Sequence, residues 1–472
     1  MADVKDTTGS TPSEGTAPED AALDLEPDTE QAFLDVLVSG DGAGVRTLMA
    51  ELHHADAAGL LERLSADERA RVVEILRADF GPEILSELDQ TVREHVVECL
   101  GVENVAAVIA GMESDDALEV VLELDEDDQQ RVLDAIPAVD RTLIEEGLTY
   151  PEDSAGRLMQ REVVAVPESW SVGETIDFLR QSAEAGEDGL PARFYDLFIV
   201  DPTHRPVGSL TLSRLLGARR PVAVADIMDT EMKLLGVATD QEEVAYVFRQ
   251  RDLVSAPVVD DGGRLVGAIT IDDVVDVIDE EHEEDIMLLG GVKEGDLYEA
   301  TMTTTRSRFG WLLINLGTAI LASMVIGLFD ATIEQMVALA VLMPIVASMG
   351  GNAGTQSLTV AVRALAMKEL TAANAGRVIG KEFLVGALNG VLFAGLIGVV
   401  AWVWFDSVAL GVVIGLAMSV NMLVAGLAGS TIPLMLDRIG IDPAVASSVF
   451  LTTVTDIVGF FVFLGLAALI LL

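Results

Sequence analysis

The chain has 472 residues, of which 77 are acidic and 29 basic, so its formal net charge is −48, yet half of its residues are hydrophobic. Residues 301–472 hold 8 acids and 7 bases, a net charge of −1, whereas residues 1–300 hold 69 acids and 22 bases, a net charge of −47. The chain therefore divides into a large acidic soluble region and a membrane region. So acidic a region excludes binding to nucleic acid, and Cys99, the single cysteine, excludes a disulfide scaffold and a cysteine-ligated metal site. The charge favours multivalent cations, although solubility alone also explains it.

The first part of the chain reads as a tail followed by helices. Residues 1–28 are rich in Gly, Ser, Thr, Pro and acids, lack the pattern of a signal peptide, and are predicted to be a disordered acidic tail. Residues 29–150 carry apolar pairs at helical spacing, as in AAGLLERL and ARVVEIL, with almost no strand pattern. They predict an all-helical, superhelical domain.

An internal repeat follows. The segment IVDPTHRPVGSLTL (199–212) aligns with VVDDGGRLVGAITI (258–271), and six of the aligned positions are identical. Both copies have a strand–turn–strand pattern, and a helical stretch precedes each. The repeat predicts a paired α/β module of two β–α–β–β–α units, over 151–222 and 223–282.

The densest acidic run, DDVVDVIDEEHEED (272–285), lies on a predicted helix that leads towards the membrane region through a connecting segment over 283–309. Like charges three or four residues apart on a helix destabilise one another, and a bound divalent cation would relieve this. The run therefore indicates a cation sensor coupled to the membrane region; a solvated charged face is the alternative.

Five apolar stretches are each long enough to cross a membrane. They lie at about 310–328, 336–362, 383–405, 408–435 and 444–472. All seven bases of this half fall on one side and Asp330, Glu334 and Asp406 on the other. The positive-inside rule therefore predicts five spans with a cytosolic N-terminus and an external C-terminus.

Polar groups within these spans are costly and indicate a function. Asp456 lies twelve residues into the fifth span, about 18 Å deep. The second span contains Pro344 and several glycines, which predict a broken helix that lines a cavity. Asn352 and Gln356 lie on one face of it, where their oxygens can accept from the water shell of Mg²⁺, an ion that holds its water tightly. The alternatives are a hydrogen-bonded interhelical Asp and a small-residue packing motif.

Four segments resemble the MgtE family of magnesium channels and transporters, over residues from about 30 to 472. They are YPEDSAGRLM (150–159), the two repeats, which resemble a CBS pair, PIVASMGGNAGTQ (344–356) and TTVTDIVGFF (452–461). The resemblance implies a multi-domain protein with an all-α cytosolic N domain, an α/β CBS pair, a connecting "plug" helix and an α-helical membrane domain with five transmembrane helices (310–472). It also implies a homodimer in the lipid bilayer of the cytoplasmic membrane.

The resemblance further implies Mg²⁺-selective import through a pore that closes when cytosolic Mg²⁺ binds the acidic domains. Residues and resemblance together assign the ion pathway to Pro344, Gly351, Asn352, Gly354, Gln356, Thr452 and Asp456. The regulatory Mg²⁺ ligands implied by the resemblance are Asp115, Glu119, Asp240, Glu242, Asp252, Asp273, Asp276, Glu284 and Asp285. CBS pairs also bind adenine nucleotides, and Thr270 and Asp273 match that site. Arg214 stands at the equivalent place in the first unit, so ATP regulation stays open.

Other classes of protein fit less well. A membrane metalloprotease needs HExxH in a span, but all five histidines lie in the soluble half, so no enzyme activity is predicted. A membrane-anchored CBS signalling protein that senses nucleotides or cations remains an alternative, although a plain anchor would not need Asp456. A broader transporter of Mn²⁺ or Co²⁺ also remains open.

Overall fold

The computed structural model describes residues 27–184, 190–191, 193–292 and 301–471. The chain forms two compact units. The first reaches Glu231 and includes Gly236–Ala238 and Val258–Ala268, and the second holds Met232–Leu235, Thr239–Pro257 and Ile269–Leu472. Residues 1–26 of the predicted tail lie outside the described part.

The N domain is entirely helical in the part described, as predicted. Local signals start its helices: Ser65 and Glu68 form a capping box, and the Asp89 side chain accepts from the Thr91 amide at 2.9 Å. Apolar faces from Phe33 to Ile144 pack into one core. The helices are α1 (Pro27–Ser39), α2 (Gly42–Glu51), α3 (His54–Arg63), α4 (Ala66–Leu76), α5 (Pro82–Ser86), α6 (Gln90–Leu100), α7 (Val102–Ile109), α8 (Ser114–Glu123), α9 (Glu126–Ala135) and α10 (Ala138–Gly147).

The two α/β units follow the predicted β–α–β–β–α order. In the first, β1 pairs parallel with β2, and β2 pairs antiparallel with β3. The second sheet has the order β4-β5-β6. Apolar residues of the first sheet, such as the paired Val166 and Ile199, are fully buried. The elements are α11 (Ala155–Leu158), β1 (Ala165–Pro167), α12 (Val172–Ala183), β2 (Asp196–Val200), β3 (Pro206–Thr211), α13 (Leu212–Gly217), β4 (Leu235–Gly236), α14 (Gln241–Arg251), β5 (Ser255–Val259), β6 (Leu265–Thr270) and α15 (Ile271–Gly290).

Helix α15 runs without interruption across the predicted boundary at 282/283. It ends at Gly291, whose φ of +71° and close contact with the Trp311 ring leave no room for a side chain. Near its end, Leu288 and Leu289 pack against a buried cluster of the membrane helices. Residues 293–300 of the predicted connecting segment lie outside the described residues, and the next helix begins at Thr301.

Within the described residues, the membrane region contains five helices that are long and apolar enough to cross a membrane, which confirms the predicted number. They are α16 (Thr301–Gly327), α18 (Ala338–Ala366), α19 (Ala375–Phe405), α20 (Val408–Arg438) and α21 (Pro443–Ile470), with a short α17 (Asp330–Gln335) between the first two. Helix α20 is the most buried of the five and packs against α18, α19 and α21.

The predicted break in the second span is wrong. Helix α18 is continuous from Ala338 to Ala366, with Pro344 inside it. The glycines serve close packing instead: a side chain at Gly350 would overlap Asn421, and a Cβ at Gly354 would lie 2.7 Å from Leu451 Cδ1. Tight contact with neighbouring helices compensates for the low helix propensity of glycine.

Candidate functional site: a polar membrane face and an acidic cluster

Two membrane helices that pack together, α18 and α21, carry polar residues at membrane depth. On α18, Asn352 and Gln356 are exposed, and on α21 Thr452 is exposed and Asp456 half-buried. We call these four residues the polar face. Polar groups exposed in a span are expensive against lipid, so this face belongs against water, a cation or another protein surface.

Asp456 lies thirteen residues after Pro443, the first residue of α21, or about 20 Å along the helix axis. Within the described part of the chain, no side chain donates a hydrogen bond to it. The hydroxyl of Thr452 donates to the Ser448 carbonyl at 2.8 Å, which leaves its oxygen free to accept. Carboxylate and hydroxyl oxygens are suited to a hydrated Mg²⁺.

The predicted glycine positions differ in their surroundings. Gly351 faces open space beside Asn352, whereas Gly354 is buried against Leu451 of α21. Pro344, two turns nearer the start of α18, is exposed. The open face of α18 therefore includes Gly351, and Gly354 instead permits the approach of α21.

A second group of interest is acidic and lies at one end of the membrane helices. It consists of Glu242 on α14, Glu281 and Asp285 on α15, and Asp442, which precedes α21; we call these four the acidic cluster. Burial, and then the neighbouring Asp240, Asp285 and Asp442 carboxylates, raise the pKa of Glu242 above its usual range. The pKa of Asp285 is likewise raised by burial and by Asp442.

The acidic cluster lies beside a contact between α14 and the loop after α18. Glu242, Glu281 and Asp285 help to line a cleft of about 50 Å³ that also includes Tyr246 and Met367. The ammonium group of Lys368 lies 5.0 Å from the centre of the Tyr246 ring, and the Arg249 guanidinium contacts the Met367 sulfur. The three carboxylates therefore share this cleft with the cationic Arg249 side chain.

The raised pKa of Glu281 makes the stability of the folded chain depend on pH. Burial raises its pKa from 4.5 to about 7, although a hydrogen bond from Gln241 at 2.8 Å opposes the shift. The folded chain thus keeps a proton that the unfolded chain releases between about pH 4.5 and 7, and stability falls as pH rises through that window. Glu281→Gln should therefore raise the melting temperature by roughly 2 °C at pH 8 with a chelator present. The gain should shrink towards pH 5; a gain equal at both pH values would contradict this account.

Two other predicted ligands have local structural roles. Asp240 caps α14, since its carboxylate accepts from the Glu242 amide at 3.0 Å. Thr270 is the N-cap of α15, and Asp273 completes a capping box there, since its carboxylate accepts from the Thr270 hydroxyl at 2.7 Å. Thr270 and Asp273, the predicted nucleotide residues, are therefore hydrogen-bonded to each other, while Arg214 lies in α13 of the first unit. Nucleotide binding stays a prediction.

The remaining predicted ligands of the second α/β unit lie at the surface. Asp252 ends α14 in a left-handed conformation with a φ of 53°, and Asp276 and Glu284 are exposed on α15. Among the described residues, no three His, Cys, Asp or Glu side chains are arranged to hold a metal ion. The assignment of these residues as regulatory Mg²⁺ ligands stays a prediction.

In the N domain, the predicted ligands Asp115 and Glu119 lie on α8. Glu119 forms an ion pair with Arg93 of α6, which also binds Glu123 at 2.8 Å. The side chains of Arg93 and Glu123 are only 5% and 9% exposed. Burial opposes the charge on Arg93, but the two carboxylates outweigh it and raise its pKa. Arg93 thus ties α6 to α8, and Glu119 already has a cationic partner.

Arg93→Ala should destabilise the N domain by about 3–5 kcal/mol, because it leaves the buried Glu123 carboxylate without its partner. Hydrogen exchange of the α6 and α8 amides in the full chain measures this. Arg131→Ala is the matched control: its ion pair with Asp128 is exposed, so the expected loss is below about 1 kcal/mol. Equal protection in the two variants would contradict the assignment.

Comparison with known proteins identifies families that share this order of domains. Three family models match: MgtE, described as a divalent cation transporter, at 343–466; the MgtE intracellular N domain at 52–153; and the CBS domain at 155–220 and 224–280. The magnesium transporter MgtE of Thermus thermophilus is 34% identical over 444 residues, which cover 93% of this chain and 97% of that protein. The chain belongs to the MgtE family.

A second relative agrees with this MgtE assignment. The magnesium transporter MgtE of Enterococcus faecalis is 35% identical over 326 residues, which cover 69% of this chain and 71% of that protein. A crystal structure of the cytosolic domain of the Mg²⁺ channel MgtE in complex with ATP is 33% identical, covers 52% of this chain and 99% of that chain, and aligns with a TM-score of 0.48.

This MgtE family chain has candidate functional residues that sequence reasoning missed. Asp442 joins the acidic cluster, and Glu382 is buried on α19, where it accepts a hydrogen bond from Ser357 of α18 at 2.7 Å. Glu281 belongs to the acidic run at 272–285 but is not among the predicted ligands. A sequence signal existed for Asp442, since an acid directly before Pro443 is a typical helix start. Glu382 is adjacent to Lys381 at the predicted start of a span, and no local pattern marks it as buried.

Proposed function

We propose that this chain carries Mg²⁺ into the cell along a path lined by the polar face. The observation that carries the proposal is the exposure of Asn352, Gln356 and Thr452 beside Asp456 on two membrane helices in contact. Membership of a family described as divalent cation transporters supports it. No catalytic step is part of this function.

The chemistry of the polar face suits a hydrated ion. Mg²⁺ loses its inner water slowly, so a path that admits it with its water needs acceptors for the outer hydrogen atoms. The amide oxygens of Asn352 and Gln356 and the Thr452 hydroxyl supply acceptors, and Asp456 supplies the negative charge that offsets the loss of bulk water.

The exposed position of these residues on one chain supports a homodimer. Against lipid, the polar face would be costly; against a second copy it encloses a water-filled path. The excess of bases on one side supports an orientation in the cytoplasmic membrane with the N-terminus in the cytosol and the C-terminus outside.

The acidic cluster supports regulation by cytosolic Mg²⁺. Its carboxylates come from α14, α15 and the residue that caps α21, because Asp442 accepts from the Ala444 amide at 2.7 Å. Asp456 lies on that same α21. A cation that neutralises the cluster would hold α14 and α15 against the membrane helices, while loss of the cation would leave like charges that push them apart. The path would then close at high cytosolic Mg²⁺ and open at low.

The test is Mg²⁺ uptake by proteoliposomes that contain the full chain and a Mg²⁺-sensitive dye. Dye response above that of protein-free liposomes supports the proposal, and its absence opposes it. The second candidate, a broader divalent cation transporter, is favoured by the description of the matching family. Uptake of Mn²⁺ or Co²⁺ at rates equal to that of Mg²⁺ would support this alternative.

A further inference from the structure

Asn421 is a fully buried amide in the middle of the most buried membrane helix, α20. Its Nδ2 donates to the Val346 carbonyl of α18 at 2.9 Å. Because that carbonyl can only accept, the nitrogen must face it, and the orientation of the amide follows. Its Oδ1 is buried as well and has no hydrogen-bond partner among the described residues.

Two glycines make room for this amide, one on each neighbouring helix. A side chain at Gly350 of α18 would overlap Nδ2 of Asn421, and a Cβ at Gly459 of α21 would lie 2.8 Å from the same atom. The Asn421 side chain therefore fills the space between α18 and α21. Neither neighbour can move towards the other without displacing it.

Three other buried polar residues of these helices behave differently. The hydroxyls of Ser430, Ser447 and Thr455 are buried, and each donates to a carbonyl of its own helix. Asn421 instead joins two helices with a directional bond. A leucine would fill a similar volume without a buried, unpartnered oxygen, so packing alone does not explain an amide at this position.

The position of Asn421 relates it to the polar face. Gly350 directly precedes Gly351 and Asn352, and Val346 lies one turn earlier on the same helix. Gly459 lies three residues after Asp456, which makes the two neighbours on the surface of α21. The amide is thus placed between the two segments that carry the ion-pathway residues.

We propose that Asn421 is a positioning residue of the ion pathway, an amide clamp that sets the place of Gly351 and Asn352 on α18 relative to Asp456 on α21. This inference rests on the proposed function and adds a residue that does not itself contact the ion. A clamp of this kind acts on affinity for the ion, because a pathway whose two sides are misplaced binds the same cation less well.

The test is the external Mg²⁺ concentration that gives half-maximal uptake, measured in proteoliposomes with the full chain and a Mg²⁺-free interior. Asn421→Ala should raise that concentration by about tenfold, with the protein present in the membrane in normal amount. Gly459→Ala keeps every polar group but places a methyl against the amide, and should shift the concentration in the same direction. The matched control is Ser430→Ala, which removes a buried hydroxyl of the same helix and should leave the concentration unchanged.

A wild-type concentration for half-maximal uptake in either Asn421→Ala or Gly459→Ala overturns the proposal.

A melting experiment tests the clamp independently of Mg²⁺ uptake. Gly350→Ala should lower the melting temperature, and adding Asn421→Ala should restore part of the loss because the shortened side chain makes room. A double variant no more stable than Gly350→Ala overturns the clamp. A wild-type chain that carries no Mg²⁺ instead contradicts the proposed function, and the melting experiment separates the two failures.

Discussion

Replacing Asp456 by alanine is expected to reduce Mg²⁺ uptake by about 100-fold, which corresponds to the loss of roughly 3 kcal/mol of cation stabilisation. Asp456 is half-buried on α21, at mid-membrane depth, and is the acid of the polar face. Without its charge, nothing in that face offsets the loss of water around a divalent ion. The measurement is dye-reported uptake at equal amounts of reconstituted protein.

A pair of isosteric variants separates charge at this site from charge in general. Asp456→Asn keeps the shape and should lose uptake almost as fully as Asp456→Ala. Asp406→Asn removes an equal charge from an exposed position after α19, where a φ of 50° also suits asparagine. It should leave uptake unchanged. Normal uptake by Asp456→Ala would remove this residue from the pathway.

Neutralising the acidic cluster is expected to raise the cytosolic Mg²⁺ concentration that half-closes the path by about tenfold. The variant is Glu242→Gln with Asp442→Asn, in which asparagine can still cap α21. Fewer carboxylates bind Mg²⁺ more weakly, so a higher concentration of the ion is needed to close the path. The measurement is uptake at fixed external Mg²⁺ while the concentration on the cytosolic side is varied.

The matched control removes two charges that lie near the cluster in the sequence but outside it. Glu243→Gln with Asp437→Asn changes exposed acids on α14 and near the end of α20. In this double variant, the path should close at the same cytosolic Mg²⁺ concentration as in the wild type. Protection of the acidic half from protease by Mg²⁺ should weaken in the cluster variant and persist in the control. Equal behaviour of the two pairs would show that net charge, and not the cluster, sets closure.

Periodic and repeated features were predictable because they are local. The five spans follow from the lengths of apolar stretches, and the paired β–α–β–β–α units from a repeat that shares six residues. The exposed polar residues of α18 also follow from spacing, since Asn352 and Gln356 lie four residues apart and so share one face.

Contacts between distant segments were not predictable in the same way. A run of Pro344 and glycines predicts a break from local propensity, but tertiary packing kept α18 continuous and used Gly350 for contact with Asn421. Asp442 likewise becomes part of the acidic cluster only because the fold places the start of α21 beside Glu242 and Asp285. The partners in each of these contacts are far apart in the sequence, so no local pattern predicts them.

The central claim is that this chain conducts Mg²⁺ under the control of Mg²⁺ on its cytosolic side. The most direct test is uptake by proteoliposomes of the full chain as the Mg²⁺ concentration on that side is raised from chelator to millimolar levels, with Asp456→Ala measured in parallel. The account predicts rapid uptake by the wild type at low cytosolic Mg²⁺, closure at high, and little uptake by Asp456→Ala at either. Wild-type uptake that is absent, or that is the same at both concentrations, would contradict it.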